Sequence, residues 1–202
     1  MIENTSNLMV EEVLPVLKLA QDILPQLQTS IRLHIGGKES HPDWKIFDAL
    51  PREEVDFIGN AKDLSQFVDN SVSAIYASHV LEHFHYLLND ELILTLKEWH
   101  RVLETGGELM ISVPNLQTIC SLYIDPRTPA NARHHLMRMI FGGQIDEYDV
   151  HKVGFDQDIL GMYLQHVGFH DLRVVSEFGL FDDCSSLLFG GVPISLNMIA
   201  KK

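Results

Sequence analysis

Apolar residues along the chain come in two rhythms. Residues 8–29 carry Leu14, Leu17, Ala20 and Leu24 at spacings of 3, 3 and 4, which predicts one or two amphipathic helices. Such a segment serves either as a cover on the main fold or as a homodimer contact. From Ile31 the rhythm shortens. Ile31–Ile35 is an apolar strand ending in Gly36-Gly37, Trp44–Phe47 is closed by Asp48, and Val55–Ile58 is closed by Gly59-Asn60. Ser73–Ala77 follows and leads into a helical run, and Glu108–Val113 is closed by Pro114. Between the last two lies a helix with Asn89 as N-cap, a stripe of Leu92, Leu96, Trp99 and Leu103, and Gly106-Gly107 as its stop. Helices at 115–124, 129–141 and 157–167 come next, the last capped by Gly168. Strands Leu172–Phe178 and Ile194–Ala200, separated by the loop 181–193, predict a terminal antiparallel pair.

Short strands alternating with helices specify an α/β fold of Rossmann-like type with helices on both faces. The expected sheet is mixed and seven-stranded, parallel except for the strand at 194–200. The organisation read from this is an N-terminal helical extension over 1–30 and one domain over 31–202. The stretch from Met137 to Gly154 is too long and polar for a simple connection; it is either a surface loop capped against the sheet or, by analogy with insertions after the fifth strand of such folds, part of a lid-like insertion over about 115–155. Gly142-Gly143 would be its hinge, and Arg138, Tyr148, His151 and Lys152 its polar contacts.

Charge narrows the partners. Lys and Arg number 15 against 28 Asp and Glu, a net charge of −13. Such a surface repels nucleic-acid phosphates and anionic membranes, so neither is expected as a partner. Two cysteines, Cys120 and Cys184, form no C-x-x-C pattern and fit a reducing compartment. The early apolar stretch is broken by Glu11, Glu12, Lys18 and Asp22 and lacks the form of a signal peptide or a membrane span. Together these features predict a cytoplasmic protein.

In open parallel sheets, ligands bind beyond the carboxyl ends of the strands. Here those ends carry Gly36-Gly37, whose Cβ-free backbone permits close approach. Asp48 offers a carboxylate suited to a ribose diol, Asn60 an amide suited to a purine edge, and Ser78-His79 a polar turn. Each alone reads equally as a turn or a helix cap; the coincidence at four successive ends points to one site.

With those residues the chain resembles the class I S-adenosylmethionine-dependent methyltransferases of the type 11 group. The motifs that carry the resemblance are Leu33-His-Ile-Gly-Gly-Lys38, Trp44-Lys-Ile-Phe-Asp48, Val55-Asp-Phe-Ile-Gly-Asn60 and Ile75-Tyr-Ala-Ser-His-Val-Leu-Glu-His83. They continue in Trp99-His-Arg-Val-Leu-Glu-Thr-Gly-Gly107 and Leu109-Met-Ile-Ser-Val-Pro114. The resemblance spans roughly 31–202. It implies S-adenosyl-L-methionine as cofactor and methyl transfer to a small-molecule or glycan acceptor. The methionine end would lie against Gly36 and Gly37, the ribose on Asp48, the adenine on Asn60 and Ala61, and the sulfonium beside Ser78 and His79. Lys38 stands where the group's glycine loop usually has a second spaced glycine. Its side chain either pairs with the cofactor carboxylate, turns to solvent, or fills the pocket. Where the acceptor must lose a proton, the candidate bases are His79, His83 and His151.

Two rivals belong to other classes. A catalytically silent relative would keep the fold as a binding or scaffold module, a reading that Lys38 favours. A nicotinamide-dependent dehydrogenase is disfavoured, because no G-x-G-x-x-G follows the first strand. His79-Val-Leu-Glu82-His83 also matches H-x-x-E-H, the inverted zinc-peptidase signature. It sits directly after a sheet strand in a segment routine for methyltransferases, so no metal is expected from the motif.

Overall fold

The computed structural model describes residues 30–202, so the proposed N-terminal helices and their dimer contact lie outside the described residues. The first strand, β1 (Ile31–Ile35), is central. It pairs in parallel with β2 (Lys45–Asp48) on one side and β4 (Val72–Ser78) on the other. Beyond β2 lies the two-residue β3 (Phe57–Ile58), and beyond β4 the long β5 (Leu103–Pro114). The strands β6 (His170–Val175) and β9 (Ser195–Lys201) complete a seven-stranded sheet of order β3-β2-β1-β4-β5-β9-β6. β9 runs antiparallel to both of its neighbours, β5 and β6, as the terminal apolar runs predict. The loop expected between them carries a small hairpin, β7 (Leu188–Phe189) and β8 (Val192–Pro193).

Both sheet faces are covered, which is why the central strands read as nearly continuous apolar runs. One face holds the main core, in which Leu33, Ile35, Ile75, Ala77, Leu109 and Ile111 pack on Leu92, Leu96 and Trp99 of helix α1 (Glu91–Val102) and on Leu160 and Leu164 of a later helix, α4 (Gln157–Val167). The other face carries an aromatic cluster of Trp44 and Tyr76 with Phe178 and Phe181. A third cluster, Ile119, Leu136 and Ile194, seats the antiparallel pair α2 (Leu116–Ile124) and α3 (Ala130–Phe141). Asn115 caps α2 through Thr118 N–H and Asp156 caps α4 through Ile159 N–H, with Gly168 in the left-handed region at the α4 exit.

Three sequence expectations about α1 and its surroundings are corrected. Asn89 is not the N-cap. It and Asp90 both have positive φ (57° and 53°), a turn these two residue types tolerate, and the helix starts at Glu91 with no side-chain cap. Gly106-Gly107 does not stop the helix: it ends at Val102, where Leu103 turns extended to start β5. The exposed C-terminal carbonyls are met by Lys202, whose Nζ donates to the carbonyls of Arg101 (3.1 Å) and Leu103 (2.8 Å). The run after β4 forms only a single 3₁₀ turn, Leu81–His83. Among the described residues no helix is long and apolar enough to cross a membrane, and Cys120 and Cys184 are free and exposed.

Candidate active site at the strand ends

The strand order reverses at β1. β2 and β3 lie to one side of it and β4 and β5 to the other, so the loops after β1 and β4 part and leave a crevice. A cleft of about 490 Å³ occupies that position, lined by Gly36, Lys38, Asp48, Asn60, Ala61 and His79 among others. Six of the eight proposed cofactor contacts therefore share one cavity, of a size ordinary for small-molecule sites.

Gly36 has φ +74°, and a Cβ there would come within 2.8 Å of Val80 Cγ2. The glycine is thus required both by backbone conformation and by the contact between the β1 and β4 loops. Gly37 is not among the lining residues: it is buried, and a Cβ on it would strike the His34 ring at 2.7 Å, so packing leaves no room there for a side chain. Ser78 also lies outside the lining; it shares the Tyr76 face of β4, pointing away from the cleft. Lys38 is exposed at the cleft mouth.

Asp48 is held in place from two sides. Its Oδ1 accepts from the Leu50 N–H at 2.8 Å and its Oδ2 from Arg52 Nη2 at 3.2 Å. The same Arg52 nitrogen donates to the Gly37 carbonyl at 2.6 Å, while Arg52 Nε reaches Glu54 at 2.7 Å. Arg52, absent from the sequence-predicted set, therefore ties the β1 loop to the end of β2 and lines the cleft itself. Only the Pro51-Arg52 turn just after Asp48 hinted at it. Asn60 orders its own turn by accepting from Lys62 N–H at 3.1 Å, and the Ala61 carbonyl takes the buried Trp99 indole N–H at 2.7 Å. Lys62 Nζ in turn bonds Glu91 Oε1 at 3.0 Å, while Glu91 Oε2 accepts from the His85 backbone and ring. Glu91 also lines the cleft. Burial works against its charge, but the bonds from His85 and Lys62 prevail and bring its pKa down to about 2.

From the insertion come Glu147, Tyr148 and Lys152, which close the cleft on its outer side. Arg138 and His151 do not line it. Gly142 has φ +85°, and a Cβ there would collide with the Asp149 carbonyl. Instead of a free hinge, the loop is stapled by Asp149, which receives the N–H groups of Gly143 (3.2 Å), Gln144 (2.8 Å) and Ile145 (3.4 Å).

The three candidate bases surround one carboxylate. His79 has φ +54°, its N–H donating to the Ser112 carbonyl at 2.9 Å, and its Nδ1 lies 3.2 Å from Glu82 Oε1. His151 approaches the same oxygen at 3.9 Å, and the rings of His83 and His151 stand 5.0 Å apart. Glu82 is 1% exposed. Burial alone would raise its pKa, yet the surrounding histidines, His79 foremost, hold it below the ordinary value. Burial moves His151 the other way, toward the neutral form, against the pull of Glu82. His79 and His83 line the cleft; His151 lines a separate small pocket instead.

Comparison with known proteins bears on the fold that carries this cleft. A family model described as a methyltransferase domain matches residues 43–111, from β2 through most of β5. No curated protein matches the chain with significance. Among solved structures, a SAM-dependent methyltransferase from Archaeoglobus fulgidus aligns over 93% of both chains at 16% identity and TM-score 0.51. A Thermotoga maritima SAM-dependent methyltransferase, named a possible histamine N-methyltransferase, aligns over 90% of this chain and 86% of that one (16% identity, TM-score 0.53). The methyltransferase CalH, solved with SAH, aligns over 91% of this chain and 54% of its own (16% identity, TM-score 0.50). The fold is the Rossmann-like α/β fold of these methyltransferase structures, and the segment matched by the family model includes the ends of β2 to β4 that line the cleft.

Proposed function

We propose that this chain binds S-adenosyl-L-methionine in the crevice beyond β1–β4 and transfers its methyl group to a small-molecule or glycan acceptor. One observation carries the reading: Gly36, Asp48, Asn60, Ala61 and His79, from four different strand ends, line a single cleft at the reversal of strand order. The bound cofactor supplies an electrophilic methyl on a sulfonium; the chain supplies binding, orientation and, where needed, a base. Asp48, its rotamer held by Leu50 and Arg52, retains lone pairs for a ribose diol. Asn60 and Ala61 would border the adenine. Lys38 at the mouth would pair with the amino-acid carboxylate. His79 and His83, both on the cleft wall, are the candidate bases; His151 lines a separate small pocket and would act only through them.

Calorimetric titration with S-adenosylmethionine and S-adenosylhomocysteine tests the reading. Saturable binding of both is the expected result. Failure of a folded protein to bind either at millimolar ligand would leave the fold as a scaffold and overturn the proposal. With binding in hand, methyl transfer is followed as homocysteine-nucleoside release across hydroxyl, amine and sugar acceptors.

A further inference from the structure

We propose that Glu82, His83 and His151 form a binding site for one divalent transition-metal ion, zinc by preference, at the wall of the cleft. The atoms these three side chains offer as ligands lie within 4.8 Å of one another. Two histidines and one carboxylate are a donor set for a catalytic-type ion with open positions, and the mixed N/O character selects zinc-like ions over magnesium.

Hydrogen bonding decides the reading. His83 Nδ1 meets the Val150 carbonyl at 3.1 Å and His151 Nδ1 meets the Met139 carbonyl at 3.0 Å. A carbonyl only accepts, so both rings carry a proton on Nδ1, and in the neutral ring Nε2 is the atom left free for a metal. Anchoring one ring nitrogen on a backbone carbonyl is how metal-ligating histidines are oriented. His79 is constrained in the same sense. The Ser195 hydroxyl donates to the Cys184 carbonyl at 2.7 Å, so His79 Nε2 must be the donor in its 2.9 Å contact with Ser195 Oγ. The ring nitrogens that approach the Glu82 carboxylate are thus those not engaged by these bonds, His79 Nδ1 and His151 Nε2. Neither Glu82 oxygen has a hydrogen bond, although both are buried. A buried carboxylate without a hydrogen bond, beside two rings anchored through Nδ1, is a ready third ligand for a cation held between them. A tetrahedral ion holds its ligands about 3.4 Å apart. The 3.9 Å between His151 Nε2 and Glu82 Oε1 is close to that spacing, and all three ligand atoms lie within 4.8 Å of one another.

The arrangement differs from the zinc-peptidase motif, in which both motif histidines ligate. Here the third ligand is His151, 69 residues beyond Glu82, and His79 stands by as a neighbour. The inference rests on these residues and not on methyl transfer.

Chelator-treated full-length protein is titrated with zinc chloride by calorimetry, with magnesium chloride as a parallel arm, and the cobalt-loaded form is read by visible absorption. The expected result is one equivalent of zinc, no comparable magnesium binding, and a ligand-field band of a low-coordinate cobalt site. Glu82→Gln and His151→Gln should each weaken zinc at least tenfold, while His135→Gln, at an exposed position outside the cluster, should not. If Glu82→Gln fails to fold, His83→Gln takes its place. No stoichiometric uptake by the wild type would assign the cluster to protons and overturn the proposal; so would uptake that is indifferent to both ligand variants. Titration with S-adenosylhomocysteine on the same metal-free sample separates this outcome from failure of the methyltransferase reading.

Discussion

Replacing Asp48 by Asn tests the cofactor reading at its most constrained residue. The carboxylate accepts from Leu50 N–H at 2.8 Å and from Arg52 at 3.2 Å, and its side chain is only 13% exposed, so it is fixed before any ligand arrives. Asparagine keeps the shape and the oxygen that faces Leu50, but removes the charge and turns one acceptor into a donor. If the carboxylate receives a ribose hydroxyl, the loss is that of one charge-assisted hydrogen bond, about 1.5–3 kcal/mol. That corresponds to roughly a 10- to 150-fold rise in the Kd of S-adenosylhomocysteine. The assay is isothermal titration, with a circular-dichroism melt to show that the variant is folded. Arg52→Gln is the essential comparison, because it cuts the tether to Asp48 and Gly37 while leaving the carboxylate in place. A direct role for Asp48 predicts a clearly smaller loss in Arg52→Gln. Equal losses would mean that Asp48 only holds the loop, and a Kd for Asp48→Asn within about twofold of wild type would refute the ribose assignment.

Other outcomes follow from the same structure. Gly36→Ala should cost more stability than Gly106→Ala: both have positive φ (74° and 81°), worth about 1–2 kcal/mol, but only at Gly36 does a Cβ meet a neighbour, at 2.8 Å; equal shifts in calorimetric Tm would refute the loop-contact argument. Burial pulls the His34 pKa from 6.5 to about 4, so between those values the unfolded chain binds more protons than the folded one and stability falls as pH falls. Urea titrations should show about 2 kcal/mol less stability at pH 5 than at pH 7 from this residue, a slope that His34→Phe removes; an identical pH dependence in that variant would rule the cause out. Lys38→Gly should leave S-adenosylhomocysteine affinity equal or weaker, since Lys38 is exposed at the cleft mouth; tighter binding on titration would show that its side chain fills the pocket.

What the sequence makes legible is whatever a local rule controls. Strand ends marked by Gly, Asp and Asn are readable because chain reversal demands those residues, and the antiparallel terminal pair because the loop between its two apolar runs carries no helical pattern for a crossover. Asp48 and Asn60 fall on the cleft for the same reason. Arg52 was not legible. An arginine after a strand is ordinary, and its value lies in reaching Gly37, 15 residues back, which only the packed β1–β2 pair allows. Gly36 and Gly37 look alike as letters, yet one faces Val80 across the cleft floor and the other the His34 ring. The Asn89 N-cap failed because two successive left-handed residues replaced a capped entry. His151 was legible as a polar lid residue and as a candidate base, but not as a neighbour of Glu82. Its partnership with Glu82 depends on the Lys152 N–H bonding the Glu82 carbonyl at 2.8 Å, a register between distant segments that no spacing encodes.

The site's chemistry traces back to how the chain leaves β4. An ordinary helix starting at His79 would carry Glu82 along the wall of the sheet. Instead His79 takes a left-handed conformation at φ +54°, which costs a non-glycine residue on the order of 1 kcal/mol. Two contacts hold it there, its N–H on the Ser112 carbonyl and its ring on Ser195 of β9. The turn sets Val80 against Gly36, which floors the crevice, and folds Leu81–His83 into a single 3₁₀ turn with Glu82 facing inward. The same displacement that opens the cleft between β1 and β4 therefore buries a carboxylate beside it. The insertion then completes the arrangement, laying Lys152 on the cleft wall and His151 in its separate small pocket through the bond to the Glu82 carbonyl. One left-handed residue thus places both Val80 on the cleft floor and Glu82 beside it, and His79→Gly would keep the turn while removing the ring that ties it to β9.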